Sequence, residues 1–228
     1  MKILLMLIAA TTLAAACTQD ATRMPASRSL IGAEAREFWR GWKSNDFPAG
    51  WRVDGDSLSK EGDVQDLISR EIFGNFELEL EWKLSEGGNA GIFYRGTREY
   101  DYIYWSAPEY QLLDDARHPD GANRLTSAAA AYALYAAPAG IVKPAGEWNS
   151  ARIVVNGAHV EHWLNGQNVV TYELWSPDWK AKVAASKFAG YPNYGLAREG
   201  LIGIQGDHAG TLTLRGIRIR ALRPGGDR

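Results

Sequence analysis

One cysteine in 228 residues, Cys17, excludes an internal disulfide, because a lone thiol has no partner within the chain. Other absences narrow the function. No G-x-S-x-G turn presents a serine nucleophile, and the only thiol lies in the N-terminal apolar segment, so nucleophilic catalysis of those types has no support. No Walker-type glycine loop cradles a phosphate. Lys and Arg number 25 against 27 Asp and Glu, a net charge of −2, and they are scattered, which gives nucleic acid no basic footprint. Neither an internal repeat nor a low-complexity tract is present, and the length suits one sizeable domain. Against these absences stand nine Trp and ten Tyr, most expected in the core and a minority facing a ligand.

The N-terminus reads as a targeting segment. Lys2 supplies a positive charge, and Ile3 to Ala16 form an apolar run too short to span a bilayer as a mature helix. The run ends in LAAAC at Cys17. This resembles a bacterial lipoprotein signal, in which that cysteine carries the lipid, although Leu13 stands one position further from the cysteine than such signals usually place it. The expectation is an exported, membrane-anchored protein of the periplasm or outer membrane. Residues 1–17 are its signal, 18–30 a polar tether, and 31–223 the folded domain.

Strand patterns dominate that domain. Phe76, Leu78, Leu80, Trp82 and Leu84 alternate with Glu77, Glu79, Glu81 and Lys83, the period of a half-buried strand. Gly87-Gly88 turns the chain into AGIFYR, a return strand ending at Arg95. Asn156-Gly157 and Asn165-Gly166 each separate alternating segments, which predicts a three-strand antiparallel meander with positive φ at both turn residues. In TLTLRGIRIRAL the apolar parity flips across Arg215-Gly216, the mark of a β-bulge. Helical spacing is confined to about 31–43 and 178–188. The whole predicts an all-β, two-sheet antiparallel sandwich.

Candidate chemistry follows from residue type and parity. His159 and His162 stand three apart in a strand and so face opposite sides, which defeats chelation. His118, in the loop DDARHPDG, reads as a surface residue. Glu109 and Gln111 share a face of one strand, near Asp114 and Asp115. Asp207-His208 follows the apolar run GLIGIQ and is the best acid–base pair, since a carboxylate can orient and tune an imidazole whose pKa lies near neutrality. Polar groups set among aromatic rings suit a sugar. No cofactor is called for, and a divalent ion held by Asp and backbone oxygens is left open.

A set of ordered motifs carries a family resemblance. They are W-x-V-x-x-G-type (Trp51 to Asp56), F-E-L-x-x-E-W-K (Phe76 to Lys83), G-N-A-G-I-F-Y-R (Gly88 to Arg95) and E-Y-Q-L-L-D (Glu109 to Asp114). Further along come G-E-W-N (Gly146 to Asn149), H-W-L-N-G (His162 to Gly166), S-K-F (Ser186 to Phe188) and I-G-I-Q-G-D-H (Ile202 to His208). Over roughly residues 35–222 the chain resembles the bacterial 3-keto-disaccharide hydrolase domain. The resemblance implies a concanavalin-like jelly roll acting on 3-keto-glycosides made by a partner sugar 3-dehydrogenase. A ketone at C3 acidifies the C2 proton, whose loss expels the C1 oxygen, so cleavage needs a base, an acid and a donor to the enolate. His208, Glu109 and Asp114 are the catalytic candidates, and Arg95, Gln111, Tyr135, Gln205 and Asp207 the substrate-binding ones. Where family members commonly read Q-D-H-G this chain has Q-G-D-H-A-G, which predicts a longer turn under His208. The competing expectation is a non-catalytic, lectin-like glycan-binding module.

Overall fold

The computed structural model describes residues 26–223, so the targeting segment and Cys17 lie outside the described residues. Thirteen strands form two sheets in which every pairing is antiparallel. The larger sheet runs β11 (Gln167–Glu173), β10 (His159–Leu164), β9 (Asn149–Asn156), β6 (Phe76–Leu84), β13 (Thr211–Ala221), β4 (Ser57–Glu61) and β3 (Trp51–Asp54). The short β1 (Arg28–Ser29) pairs with β13, so the sheet begins inside the stretch read as tether. The smaller sheet runs β2 (Trp39–Gly41), β5 (Leu67–Ser69), β12 (Leu201–Ile204), β7 (Asn89–Gly96) and β8 (Glu109–Leu113).

The alternation in β6 does what the sequence predicts. Its five apolar residues are buried and its charged residues face outward, where Arg215 and Arg220 of β13 pair with Glu81 and Glu77 at 2.7 and 3.0 Å. Ala90, Ile92 and Tyr94 of β7, with Tyr110 and Leu112 of β8, supply the facing side of the core. Burying side chains of this size contributes about 1.5–3 kcal/mol each. His162 is fully buried with Val160 and Leu164, while His159 turns outward to Glu161 and Glu173, as strand parity requires. His162 Nδ1 donates to the Ala129 carbonyl at 3.0 Å, so its Nε2 accepts from the Tyr94 hydroxyl at 2.9 Å, and Tyr94 in turn meets the Tyr172 hydroxyl.

The turns are partly as expected. Asn165 and Gly166 have φ of 50° and 79° and close a two-residue hairpin of the expected kind. The other hairpin slips by one residue. Asn156 pairs with His159, so Gly157 (φ 64°) and Ala158 form the turn, and only its first residue has positive φ. The bulge at Arg215-Gly216 is present: pairing with β6 skips between Arg215 and Arg218, and Gly216 has φ 61°. The helical reading of 31–43 reduces to one turn, α1 (Ala35–Phe38), which has no side-chain cap. The chain then straightens into β2, because Trp39, Arg40 and Gly41 find a ladder against β5. In the second stretch α2 (Pro177–Ala185) is capped by Ser176, whose hydroxyl accepts from Trp179 N–H at 3.1 Å.

Candidate active site

Glu109 and Gln111 leave β8 on the face turned away from the larger sheet, opposite Phe93 and Gly91 of β7. Part of that face is sealed by Ile103 and Ala107, which pack with Phe93, Ile68 and Leu201. The rest opens into a cleft of about 480 Å³. Asn89, Glu109, Gln111 and Gln205 belong to its sheet side, and Asp207 and His208 follow on from Gln205. His118, Asp120, Tyr132, Lys187, Phe188, Tyr191 and Tyr104 come from the loops around it.

The floor depends on glycine. A Cβ at Gly91 would stand 2.1 Å from Glu109 Oε1, so the missing side chain is the space the carboxyl occupies. Burial pushes the Glu109 carboxyl up to about 8, with Lys187 pulling it down and the carboxylates of Asp207, Asp66 and Asp120 adding to the rise. That rise favours the protonated acid at neutral pH. Gln111 donates to Asn89 Oδ1 at 3.1 Å, while its own Oε1 and that of Gln205 are buried without a partner. Two unpaired acceptors in one cleft invite hydroxyl donors from a ligand.

The segment 205–208 is tied from several sides. Gln205 N–H donates to the Gly91 carbonyl at 2.9 Å, and Gly206 N–H to Asp66 Oδ1 at 2.7 Å. The buried Lys60 ammonium donates to the carbonyls of His208 and Gly62. The additional glycine of Q-G-D-H has a steric reason: a Cβ at Gly206 would lie 2.6 Å from the Val64 carbonyl oxygen. His208 sits half-exposed at the rim with its Nε2 3.8 Å from Asp207 Oδ1. Its pKa falls below the usual imidazole value, chiefly through burial, with Lys60 and His118 assisting and Asp207 opposing.

Sequence reasoning missed Lys187. Ser186 caps a single 3-10 turn, its hydroxyl accepting from Phe188 N–H at 3.1 Å, and Phe188 stacks on Tyr194 with ring centres 4.0 Å apart. Lys187 is thereby fixed over the cleft, its Nζ 4.2 Å from the centre of the Tyr132 ring. Burial lowers its pKa, against the opposing pull of Asp120 and of Glu109 in its ionised form. The available signal was S-K-F, a motif already visible in the sequence.

The structure brings together Glu109, Gln111, Gln205, Asp207 and His208 and leaves three other candidates outside the cleft. Arg95 is not an exposed strand end. It lies at a bulge of β7 with φ 54°, and its buried guanidinium donates to the Gly74 carbonyl at 2.9 and 3.2 Å and rests 5.3 Å over Trp175. Asp114 caps a turn: its carboxylate accepts from Gly87 N–H at 2.8 Å and Ala116 N–H at 3.2 Å. Tyr135 stacks on Tyr172 and donates to Asp178 at 2.7 Å. His118, read as a surface residue, lines the cleft, where its Nδ1 accepts from Asp120 N–H. Among the described residues no group of three or more His, Cys, Asp or Glu side chains is arranged to hold a metal ion.

Comparison with known proteins adds a family to this geometry. Residues 27–220 match the model described as a 3-keto-alpha-glucoside-1,2-lyase-like domain. A 3-keto-disaccharide hydrolase of Bacteroides thetaiotaomicron is 37% identical, over 91% of this chain and 83% of the relative. The crystal structure of a candidate glycosyl hydrolase from Parabacteroides distasonis superposes with a TM-score of 0.79 at 27% identity, covering 86% of this chain and 94% of its own. The catalytic domain of an endo-1,3-beta-glucanase (laminarinase) from Thermotoga petrophila has a TM-score of 0.55 at 12% identity, covering 90% of this chain and 98% of its own. That last likeness concerns the jelly-roll fold alone.

Proposed function

The chain belongs to the 3-keto-alpha-glucoside-1,2-lyase-like domain family, and from that premise we propose that its cleft cleaves glycosides carrying a ketone at C3. The observation that carries this reading is a pair of titratable groups pushed in opposite directions in one cleft. Glu109 is raised to about 8 and His208 is lowered, with the Lys187 cation also lining the cleft. Groups whose environments drive their pKa values apart divide naturally into acid and base. Neutral His208 takes the C2 proton, and the electrons form the C1–C2 double bond as the C1–O bond breaks. Lys187 stabilises the charge that develops on the C3 oxygen. Glu109 gives its proton to the departing oxygen, releasing an alcohol and an unsaturated 3-keto sugar. Addition of water across that double bond completes net hydrolysis. Gln111 and Gln205, with their unpaired carbonyl oxygens, accept from ring hydroxyls.

A sugar 3-dehydrogenase is the reaction class that supplies such a substrate, and export with a lipid on Cys17 remains the reading of the N-terminal residues. A lectin-like module has no need of a buried protonated acid beside a cation, which favours the enzyme. The test is incubation with a 3-keto-glucoside and with its unoxidised parent, following leaving-group release. Fast release from the ketone alone is expected, since only that substrate has an acidified C2 proton. Equal rates on both would refute the elimination, and sugar binding without turnover of either would favour the lectin-like module.

A further inference from the structure

We propose that Arg40, Arg70 and Arg98 form a binding site for a phosphate- or sulfate-type oxyanion, at the far edge of the smaller sheet from the Glu109 cleft. These arginines are scattered in the sequence, and the ladder gathers them. Arg40 of β2 lies opposite Ile68 of β5, Ile68 opposite Gly203 of β12, Gly203 opposite Phe93 of β7, and Phe93 opposite Glu109 of β8. Directly opposed residues share a face, so Arg40 and Glu109 end one row, about 19 Å apart across the intervening strands. Ile103 packs on Ile68 and Phe93 between them, which keeps the two places separate.

One residue holds two of the guanidinium groups side by side. Arg40 Nη1 donates to Asn45 Oδ1 at 3.2 Å, and Arg70 Nη2 donates to the Asn45 carbonyl at 2.5 Å. Arg40 is only 8% exposed, and after burial the charges of Arg98 and Arg70 lower its pKa further. Among the described residues none of the three is in an ion pair, and Glu71, next to Arg70, is taken by Arg28 at 2.5 Å. Like charges held together without a carboxylate repel one another, and a bound anion relieves that repulsion. Each guanidinium carries five donors, of which Asn45 takes one from Arg40 and one from Arg70. Arg70 and Arg98 are exposed, so their remaining donors reach solvent. Planar forks of this kind match the oxygens of phosphate or sulfate.

The test is titration calorimetry of the full chain with inorganic phosphate at low ionic strength, where screening is weakest. Arg98→Ala, at an exposed position that leaves the core intact, should weaken binding about 10–100-fold, the effect of losing hydrogen bonds from one charged donor. Lys187→Ala should bind phosphate as the parent does. Affinity lost in Lys187→Ala but kept in Arg98→Ala would place the anion in the cleft and overturn the proposal. Sedimentation with phosphatidylcholine vesicles, with and without phosphatidic acid, distinguishes the sources of the anion, because any acyl anchor acts equally on both. Extra binding to the acidic vesicles that disappears in Arg98→Ala upholds the site with a lipid head group as its ligand. Phosphate binding without that gain upholds it with the free ion. Binding of neither probe to the parent protein, or binding that Arg98→Ala leaves unchanged, overturns it.

Discussion

Substituting Gly91 tests the acid without altering it chemically. Gly91 does not use a positive φ, so alanine fits the backbone, but its Cβ would lie 2.1 Å from Oε1, 2.8 Å from Cδ and 2.9 Å from Cγ of Glu109. The flexible carboxyl yields, and in Gly91→Ala it swings out of its desolvated seat. Burial in that seat raises the Glu109 pKa from 4.5 to about 8, a penalty on ionisation of about 5 kcal/mol. Outside the seat most of that cost disappears, and the group ionises in the ordinary carboxylate range.

Two consequences follow for Gly91→Ala. The descending limb of the pH–rate profile should leave its position near pH 8 and move well below neutrality, with kcat/KM at pH 7 down by ~10²–10⁴, the worth of general-acid assistance. Stability should move the other way. In the parent protein the folded state holds a proton on Glu109 that the unfolded chain releases above about pH 4.5, so stability declines as pH rises from there to about 8. The variant should lose that slope while remaining folded in urea titrations. Gly190→Ala is the control, because Gly190 has no positive φ and a Cβ there meets nothing within 4 Å. An unchanged alkaline limb and unchanged activity in Gly91→Ala would refute Glu109 as the acid.

Lys187→Ala should lower kcat for a 3-keto-glucoside by ~10²–10³ through loss of charge stabilisation at the enolate. His208→Ala should cost a similar factor and remove the acidic limb that its lowered pKa sets below about 6.5; normal rates in either variant would contradict its role. His162, held down to about 4 by burial, should make the protein acid-sensitive. The unfolded chain protonates this group below 6.5 and the folded one only near 4, so stability falls by about 3 kcal/mol across that window, and denaturation of His162→Gln should lack that component. Mass spectrometry of membrane fractions should find a lipid on Cys17, and an unmodified mature chain lacking Cys17 would dismiss the anchor.

What the sequence showed clearly was whatever strand parity governs. The burial of β6, the outward His159 and inward His162, the shared face of Glu109 and Gln111, and the bulge at Gly216 all follow from a period of two. Hidden were features that need long-range partners. Trp39–Gly41 has helical spacing next to α1 but is a strand because β5 lies alongside it. Arg95 reads as a rim cation because nothing local reveals the carbonyl of Gly74 waiting for its guanidinium. Asp114 shares a segment with Glu109, yet the turn's own N–H groups take up its oxygens. Lys187 sits 78 positions after Glu109, and only the 3-10 turn capped by Ser186 turns it toward the cleft.

The placement of buried charge sets this end of the sandwich apart. Lys60 is 2% exposed and its bonded partners are carbonyls, and Asp66 is 7% exposed with its pKa raised by burial to about 7. Buried ionisable groups destabilise a fold unless their hydrogen bonds compensate. Here both are directed at one short segment, Lys60 at the His208 carbonyl and Asp66 at Gly206 N–H. Lys60 belongs to β4 of the larger sheet, whereas Asp66 directly precedes β5 of the smaller one. His208, the proposed base, thus sits in a segment fastened to both sheets at once, while Glu109, the proposed acid, stands on β8 of the smaller sheet. The separation of Glu109 from His208 is therefore set by how the two sheets pack. A cavity opened in the core between them should show in turnover before it shows in folding.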